Sequence, residues 1–114
     1  EQLRHNRETL RLENLRRKEE LCLRMEILAE VNSPEEAKQA RLAFQVHQLA
    51  EHMSQGGANT TARVALREQQ AKDILLSWWT TGVVPNEQQT RLSERFHTAR
   101  RVFDQSHREV SGSR

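Results

Sequence analysis

Residues 74–85, with the sequence ILLSWWTTGVVP, decide how this chain folds. The stretch holds both tryptophans of the chain and ends in a glycine and a proline, Gly82 and Pro85. The apolar side chains before the glycine recur at the spacing of a helix with one buried face. They are Val64, Ala71, Ile74, Leu75 and Trp78, with Trp79 on the flank of the stripe. We predict a helix that ends at Gly82 in a left-handed C-terminal conformation and cannot continue through Pro85.

The tryptophan pair predicts the anchor of a small core. Burying one indole removes about 150–250 Å² from water, so Trp78 can dominate the packing of a short chain. Past the turn, a fourth helix begins at Asn86, and its apolar side chains again share one face. They are Leu92, Phe96, Ala99 and Phe103. We expect this face to close on Trp78.

The first half of the chain predicts two more helices. Residues 1–20 are highly charged and contain neither glycine nor proline, which indicates an exposed helical arm. One strand of a coiled coil is the alternative for this arm, although polar residues interrupt its seam. The arm leads into a bundle domain at 21–110, and residues 111–114 are expected to be a disordered tail.

The second helix is predicted to bury one apolar face. Its start is predicted at Ser33, with Glu36 completing a capping box. The side chains expected to be buried lie at i, i+4, i+7 and i+11, and they are Leu42, Val46, Leu49 and Met53. Phe44 points the other way with Ala37 and Ala40. Gly56 and Gly57 predict a flexible linker, after which Thr60 or Thr61 caps the third helix. The fold class is all-α: a small four-helix bundle with an extended charged N-terminal helical arm.

Three short patterns together resemble a bacterial family of helical domains, often repeated in tandem, whose function is not established. The first is a Leu-Cys helix with a downstream glutamate, the second a tryptophan helix ending in Gly-x-Val-Pro, and the third a Leu-x-x-Arg-Phe helix. The matching positions are Leu21, Cys22, Glu26, Leu28, Ala29, Ile74, Trp78, Gly82, Val84, Pro85, Leu92, Arg95, Phe96, Ala99 and Phe103. The resemblance implies a helical fold and an elongated multi-repeat parent protein, and it implies no activity.

Composition bounds the class of protein. The 114 residues are 30% charged and 35% hydrophobic, a lean composition for a single globular domain. The 18 basic and 16 acidic residues leave a net charge of +2, a weak indication of any nucleic-acid or membrane partner. No stretch approaches the ~20 apolar residues of a membrane span, and the single Cys22 fits a reducing compartment. We expect a cytoplasmic protein without a membrane partner. Because the chain starts at Glu1 rather than at methionine, we also expect a fragment of a longer protein.

No constellation of residues predicts an enzyme, a metal site, a cofactor or a small-molecule substrate. Cys22 lies on an apolar helix face, where a cysteine is usually a core residue rather than a nucleophile. The histidines lack the i, i+4 spacing of a helical metal pair; they are His5, His47, His52, His97 and His107. The glycine pair at 56–57 follows a helix rather than a strand, so it does not match a phosphate-binding loop.

Two surfaces are candidates for binding. A second apolar face on the first two helices predicts a protein partner or self-association, and its residues are Leu12, Leu23, Ile27 and Phe44. Coverage of Leu23 and Ile27 by another helix of the same chain is the alternative. The basic last helix predicts a weak RNA or ribosome contact through Arg91, Arg95, Arg100 and Arg101. The leading hypothesis is a non-catalytic helical module for protein interaction or scaffolding, and the RNA contact is the alternative.

Overall fold

Four α-helices and one short 3₁₀ helix make up the fold. The structure, a computed structural model, describes the backbone of residues 2–55 and 60–112 and the side chains of residues 6–51 and 64–106. The helices are α1 (Gln2–Ala29), α2 (Lys38–Gln55), α3 (Thr60–Thr80) and α4 (Asn86–Gly112), and the 3₁₀ helix is Glu35–Ala37. The described ranges contain no β-strand. The prediction of an all-α four-helix bundle is confirmed.

Helix α1 runs through the middle of the bundle. It packs mainly against α4, less against α3, and least against α2. Contacts with the rest of the domain begin well before residue 21: Asn14 Nδ2 donates to Val83 O at 2.9 Å, and Leu15 packs against the core. Side chains 6–13 are exposed. The charged arm is therefore shorter than the predicted 1–20, because the second half of that segment already faces α3 and α4.

The predicted aromatic anchor is present. Trp78 is 4% exposed, and its ring stacks on Phe96 with centroids 4.1 Å apart and an interplanar angle of 5°. Phe103 is also buried, and Lys18 Nζ lies 4.6 Å from the Trp78 ring centroid on the α1 side. The buried apolar core comprises Leu21, Cys22, Met25, Ala29, Ile74, Trp78, Leu92, Phe96, Ala99 and Phe103. Helices α1, α3 and α4 supply all of these side chains.

The turn between α3 and α4 needs Gly82 for a different reason than predicted. A left-handed backbone does not occur there; instead, a Cβ on Gly82 would approach Asn14 Nδ2 to 2.9 Å. The absence of a side chain lets the turn lie close to α1. At the end of α3, the amide and the hydroxyl of Thr81 both donate to the carbonyl oxygen of Ser77.

Among the described residues, a left-handed backbone is found at the end of α1 instead. Glu30 has φ 60°, Val31 N donates to Glu26 O at 3.0 Å, and Glu30 N donates to Ile27 O at 3.2 Å. This pair of hydrogen bonds is a Schellman motif, in which glycine is the favoured residue at the left-handed position. Glu30 is exposed, so its side chain gains no packing from the strained backbone.

Replacing Glu30 by glycine is expected to stabilise the domain by about 0.5–1 kcal/mol, because relief of the left-handed strain outweighs the added freedom of the unfolded chain. Urea unfolding followed by circular dichroism measures the change. Glu30→Ala is the matched control, since it removes the same carboxylate and keeps the strain. Equal stabilities for the glycine and alanine variants would contradict this explanation.

Helix α2 is turned the opposite way from the prediction. Leu42, Val46 and Leu49, expected in the core, are 63%, 59% and 62% exposed. Phe44 is half-buried and faces α1, where the Arg24 guanidinium lies 5.7 Å from its ring centroid. The prediction was wrong because Phe44 and its neighbouring alanines give α2 a second apolar face, and the bundle covers only that one.

The predicted capping box at Ser33 is also wrong. Pro34 occupies the N-cap position of the 3₁₀ helix, without a side-chain capping hydrogen bond. The Ser33 hydroxyl donates instead to Glu26 Oε1 at 2.8 Å. That carboxylate is a charged acceptor buried in the protein, and it competes successfully for the hydroxyl.

Several predicted features lie outside the described residues. They are the glycine linker at 56–57, the side chains of Met53, Thr60 and Thr61, and residues 113–114 of the expected tail. Residues 111–112 of that tail are assigned to α4.

Candidate functional site

A buried ion pair joins the two helices that carry most of the core. Arg95 of α4 donates to Glu26 of α1 through Nε at 2.6 Å and through Nη2 at 2.7 Å. The Glu26 side chain is 4% exposed and that of Arg95 is 14% exposed. Ser33 adds its hydroxyl to the same carboxylate, and Arg41 Nη1 of α2 donates to Ser33 Oγ at 3.0 Å. The network therefore holds α1, α2, α4 and the connecting loop together.

The other arginines proposed to bind RNA do not form one positive surface with Arg95. Arg91 Nη1 lies 3.7 Å from Glu36 Oε1, and Arg100 Nε lies 3.7 Å from Asp104 Oδ2. Arg101 is exposed. Phosphate recognition requires several positive charges gathered on one surface, and here three of the four candidates face a carboxylate.

The thiol of Cys22 is a core group. Its side chain is completely buried, and Sγ donates to Leu92 O at 3.4 Å. Burial raises the pKa of Cys22 to about 12, so the thiolate required of a nucleophile is not populated at neutral pH. Among the described side chains, no group of three or more His, Cys, Asp or Glu residues could hold a metal ion.

Native protein is expected to alkylate at Cys22 at least about 100-fold more slowly than unfolded protein, because the reagent must wait for the core to open. Iodoacetamide labelling at about pH 8, with and without urea, measures the ratio by mass spectrometry. Comparable rates in the two conditions would contradict the buried position of this thiol.

The same thiol makes stability depend on alkaline pH. An unfolded cysteine has a pKa of about 8.5, whereas burial raises the pKa of the folded thiol to about 12. The unfolded chain therefore loses its proton first, so this contribution to stability is complete below about pH 8.5 and decreases as the pH rises towards 12. Urea unfolding of the wild type and of Cys22→Ala, which lacks the titrating thiol, measures this contribution as the pH rises.

An open cleft of about 370 Å³ lies between α1, α2 and α4. Its apolar lining is Leu23, Ala37, Ala40 and Phe44, and its charged lining is Arg16, Glu19, Glu20, Glu36, Arg91 and Arg95. The structure thus brings together candidates from both predicted sites. The apolar candidates and the arginines each line part of this cleft, and neither set forms a continuous binding surface.

The predicted protein-interaction residues have different positions in the structure. Leu23 is only 5% exposed and lines the cleft between α1, α2 and α4, as expected if another part of this chain covers it. Ile27 and Phe44 are half-buried. Leu12 is 53% exposed on the arm of α1.

The largest uncovered apolar feature of α2 was missed by sequence reasoning. Leu42, Val46 and Leu49 form a row along its outer face, defined here as the α2 outer face. The signal was present in the sequence, since α2 carries apolar side chains on two opposite faces and one neighbouring helix can cover only one of them. A second group of three exposed apolar side chains lies near the end of α3, at Leu76, Trp79 and Val83.

The positions that carry the family resemblance are mainly core positions. Cys22 contacts Leu92, Glu26 pairs with Arg95, and Trp78 stacks on Phe96. These residues account for the packing of α1, α3 and α4 and leave the outer surfaces unspecified.

Comparison with known proteins adds no assignment. A scan of family models gave no match, and searches of curated proteins and of solved structures gave no significant match. Across the described part of the chain, no helix combines the length and apolarity needed to cross a membrane.

Proposed function

We propose that this domain is a non-catalytic helical module for protein interaction or scaffolding, and that the α2 outer face is its binding surface. One observation carries the proposal: three large aliphatic side chains, each about 60% exposed, stand in one row along a single helix. Contiguous exposed apolar patches of this kind mark protein contacts more often than isolated exposed residues do.

The free energy available from covering this row is considerable for so small a domain. Complete burial of a leucine or valine side chain contributes about 1.5–3 kcal/mol, so covering the exposed part of three contributes on the order of 3–5 kcal/mol. Without a partner, that area remains in contact with water. A helix laid along α2 would cover all three side chains, since they lie on one face.

The opposite face of α2 leaves this surface free to bind. Phe44 packs toward α1, and Arg41 donates to Ser33 and to the carbonyl oxygen of Val31. These contacts hold α2 on the bundle from its inner side. Changes on the outer face can therefore alter binding while leaving the contacts that position the helix in place.

Val46→Glu is expected to abolish partner capture without unfolding the domain. Immobilised wild-type and variant proteins are compared in lysate of the source organism, with captured proteins quantified by mass spectrometry. Leu76→Glu is the matched control, because Val46 and Leu76 are 59% and 65% exposed. Capture should fall at least about 10-fold for Val46→Glu alone, and the unfolding free energy should change by less than about 0.5 kcal/mol. Equal capture by wild type and Val46→Glu, or a wild type that both stays monomeric and captures nothing, would exclude the proposal.

The RNA alternative is less well supported, since Arg91, Arg95 and Arg100 each have an acidic neighbour. A bacterial, cytoplasmic protein with tandem copies of this domain is the setting we propose. The unpaired Cys22 and the resemblance described above support that setting.

A further inference from the structure

We infer that the α2 outer face binds the same face of a second copy of this chain, forming a symmetric pair of α2 helices. This inference rests on the proposed function and names the partner. Leu42, Val46 and Leu49 are separated by four and then three residues. That alternation is the seam of two helices packed side by side, with each apolar side chain inserted between those of the other helix.

The charges around the row favour a copy of the same surface over a charged partner. Ala43, Gln45 and Ala50, which border the row, are all uncharged. Residues 39–50 include a single Asp, Glu, Lys or Arg, namely Arg41, in a chain that is 30% charged. Arg41 faces the bundle, where it donates to Val31 O and Ser33 Oγ.

Positions beside a helix seam normally select the partner by charge. Here Ala43, Gln45 and Ala50 cannot form ion pairs with a charged partner. They also place no like charges against a second copy, whether the two helices run parallel or antiparallel. Lys38, at the first turn of α2, is already paired with Glu35 at 2.7 Å. A twofold pair also meets the requirement that one surface be complementary to itself.

The size of the surface sets the expected strength. Helix α2 has 18 residues, which corresponds to a rod about 27 Å long. Two such rods bury an area at or below the ~1,200 Å² lower end of stable interfaces. The pair should therefore dissociate in the micromolar to millimolar range. A chain with tandem copies of the domain would strengthen it by raising the local concentration.

Sedimentation equilibrium on the whole chain, from about 10 µM to about 1 mM, tests the pairing. The wild type should approach twice the monomer mass at the upper concentrations. Leu42→Glu/Leu49→Glu and Leu42→Lys/Leu49→Lys should each stay monomeric, because like charges then oppose each other across the seam. Leu76→Glu on α3 is the matched control and should dimerise like the wild type. Double variants that still reach the dimer mass would overturn the self-pairing arrangement.

Disulfide trapping provides a second test that keeps the row largely apolar. Val46→Cys stands at the centre of the row, so two copies should cross-link under mild oxidation whichever way the helices run. Leu76→Cys has comparable exposure on α3 and should not cross-link. Native Cys22 is buried and does not compete. Equal cross-linking of the two variants would mean that the contact is not specific to α2.

The failure of this inference is distinguishable from failure of the proposed function. A wild type that stays monomeric to about 1 mM, together with partner capture that Val46→Glu abolishes, overturns the self-pairing and leaves an interaction with another protein. Absence of both self-association and capture overturns the two together.

Discussion

Trp78→Ala should lower the free energy of unfolding by about 3–5 kcal/mol, a large part of the ~5–15 kcal/mol available to a domain of this size. The indole is 4% exposed and lies flat against Phe96 at a centroid distance of 4.1 Å. Removing it leaves a cavity between α3 and α4 and exposes the ring of Phe96. Urea unfolding monitored by circular dichroism gives the value directly.

The neighbouring tryptophan is a control of the same residue type. Trp79 is 65% exposed, and its ring centroid lies 6.4 Å from that of His97. Trp79→Ala should therefore cost less than about 1 kcal/mol. Similar losses for the two variants would show that the stacked ring is not the centre of the core.

Arg95→Ala should destabilise the domain by about 3–5 kcal/mol, because it leaves the Glu26 carboxylate buried without its charged partner. Glu26 then loses two hydrogen bonds, of 2.6 and 2.7 Å, and retains only the one from the Ser33 hydroxyl. Thermal and urea unfolding at neutral pH measure the loss. Because Ser33 also contacts Arg41, the packing of α2 against the bundle should weaken as well. Faster amide hydrogen exchange in α2 would show this.

Arg91→Ala, one turn earlier on the same helix, is the control. Its guanidinium is 60% exposed and lies 3.7 Å from an exposed Glu36, so the loss should be below about 1 kcal/mol. A small effect of Arg95→Ala would mean that water replaces the arginine at Glu26. The Glu26→Ala/Arg95→Ala double variant should lose much less than the sum of the single changes, because the two residues act as one pair.

Local chemistry accounts for the success of the helix and core predictions. Apolar spacing, together with the Gly82–Pro85 turn, indicated α3 and α4 and their inner faces, and an indole on such a face has few alternatives to burial. The same reasoning failed for Gly82 and Ser33. Their roles depend on Asn14 and Glu26, which approach them only in the folded chain.

The candidate site was predicted only in part. The sequence suggested a second apolar surface near Phe44 and a basic α4, but Leu23 is buried and Arg95 is paired with Glu26. Glu26 and Arg95 are 69 residues apart in the chain, and no local pattern couples positions at that separation. The sequence shows the exposed row on α2 as an apolar stripe, but it does not show whether that stripe faces the bundle or the solvent.

The amino-acid sequence alone determined that this protein is helical, where its helices begin and end to within a few residues, and that Trp78 meets Phe96. Those features follow from side-chain periodicity and turn chemistry, which act over a few residues. Only the tertiary structure decided which apolar face of α2 points inward. Both faces satisfy the helical pattern equally, and Phe44 and Arg41 find partners on α1 and its following loop, which leaves Leu42, Val46 and Leu49 toward solvent.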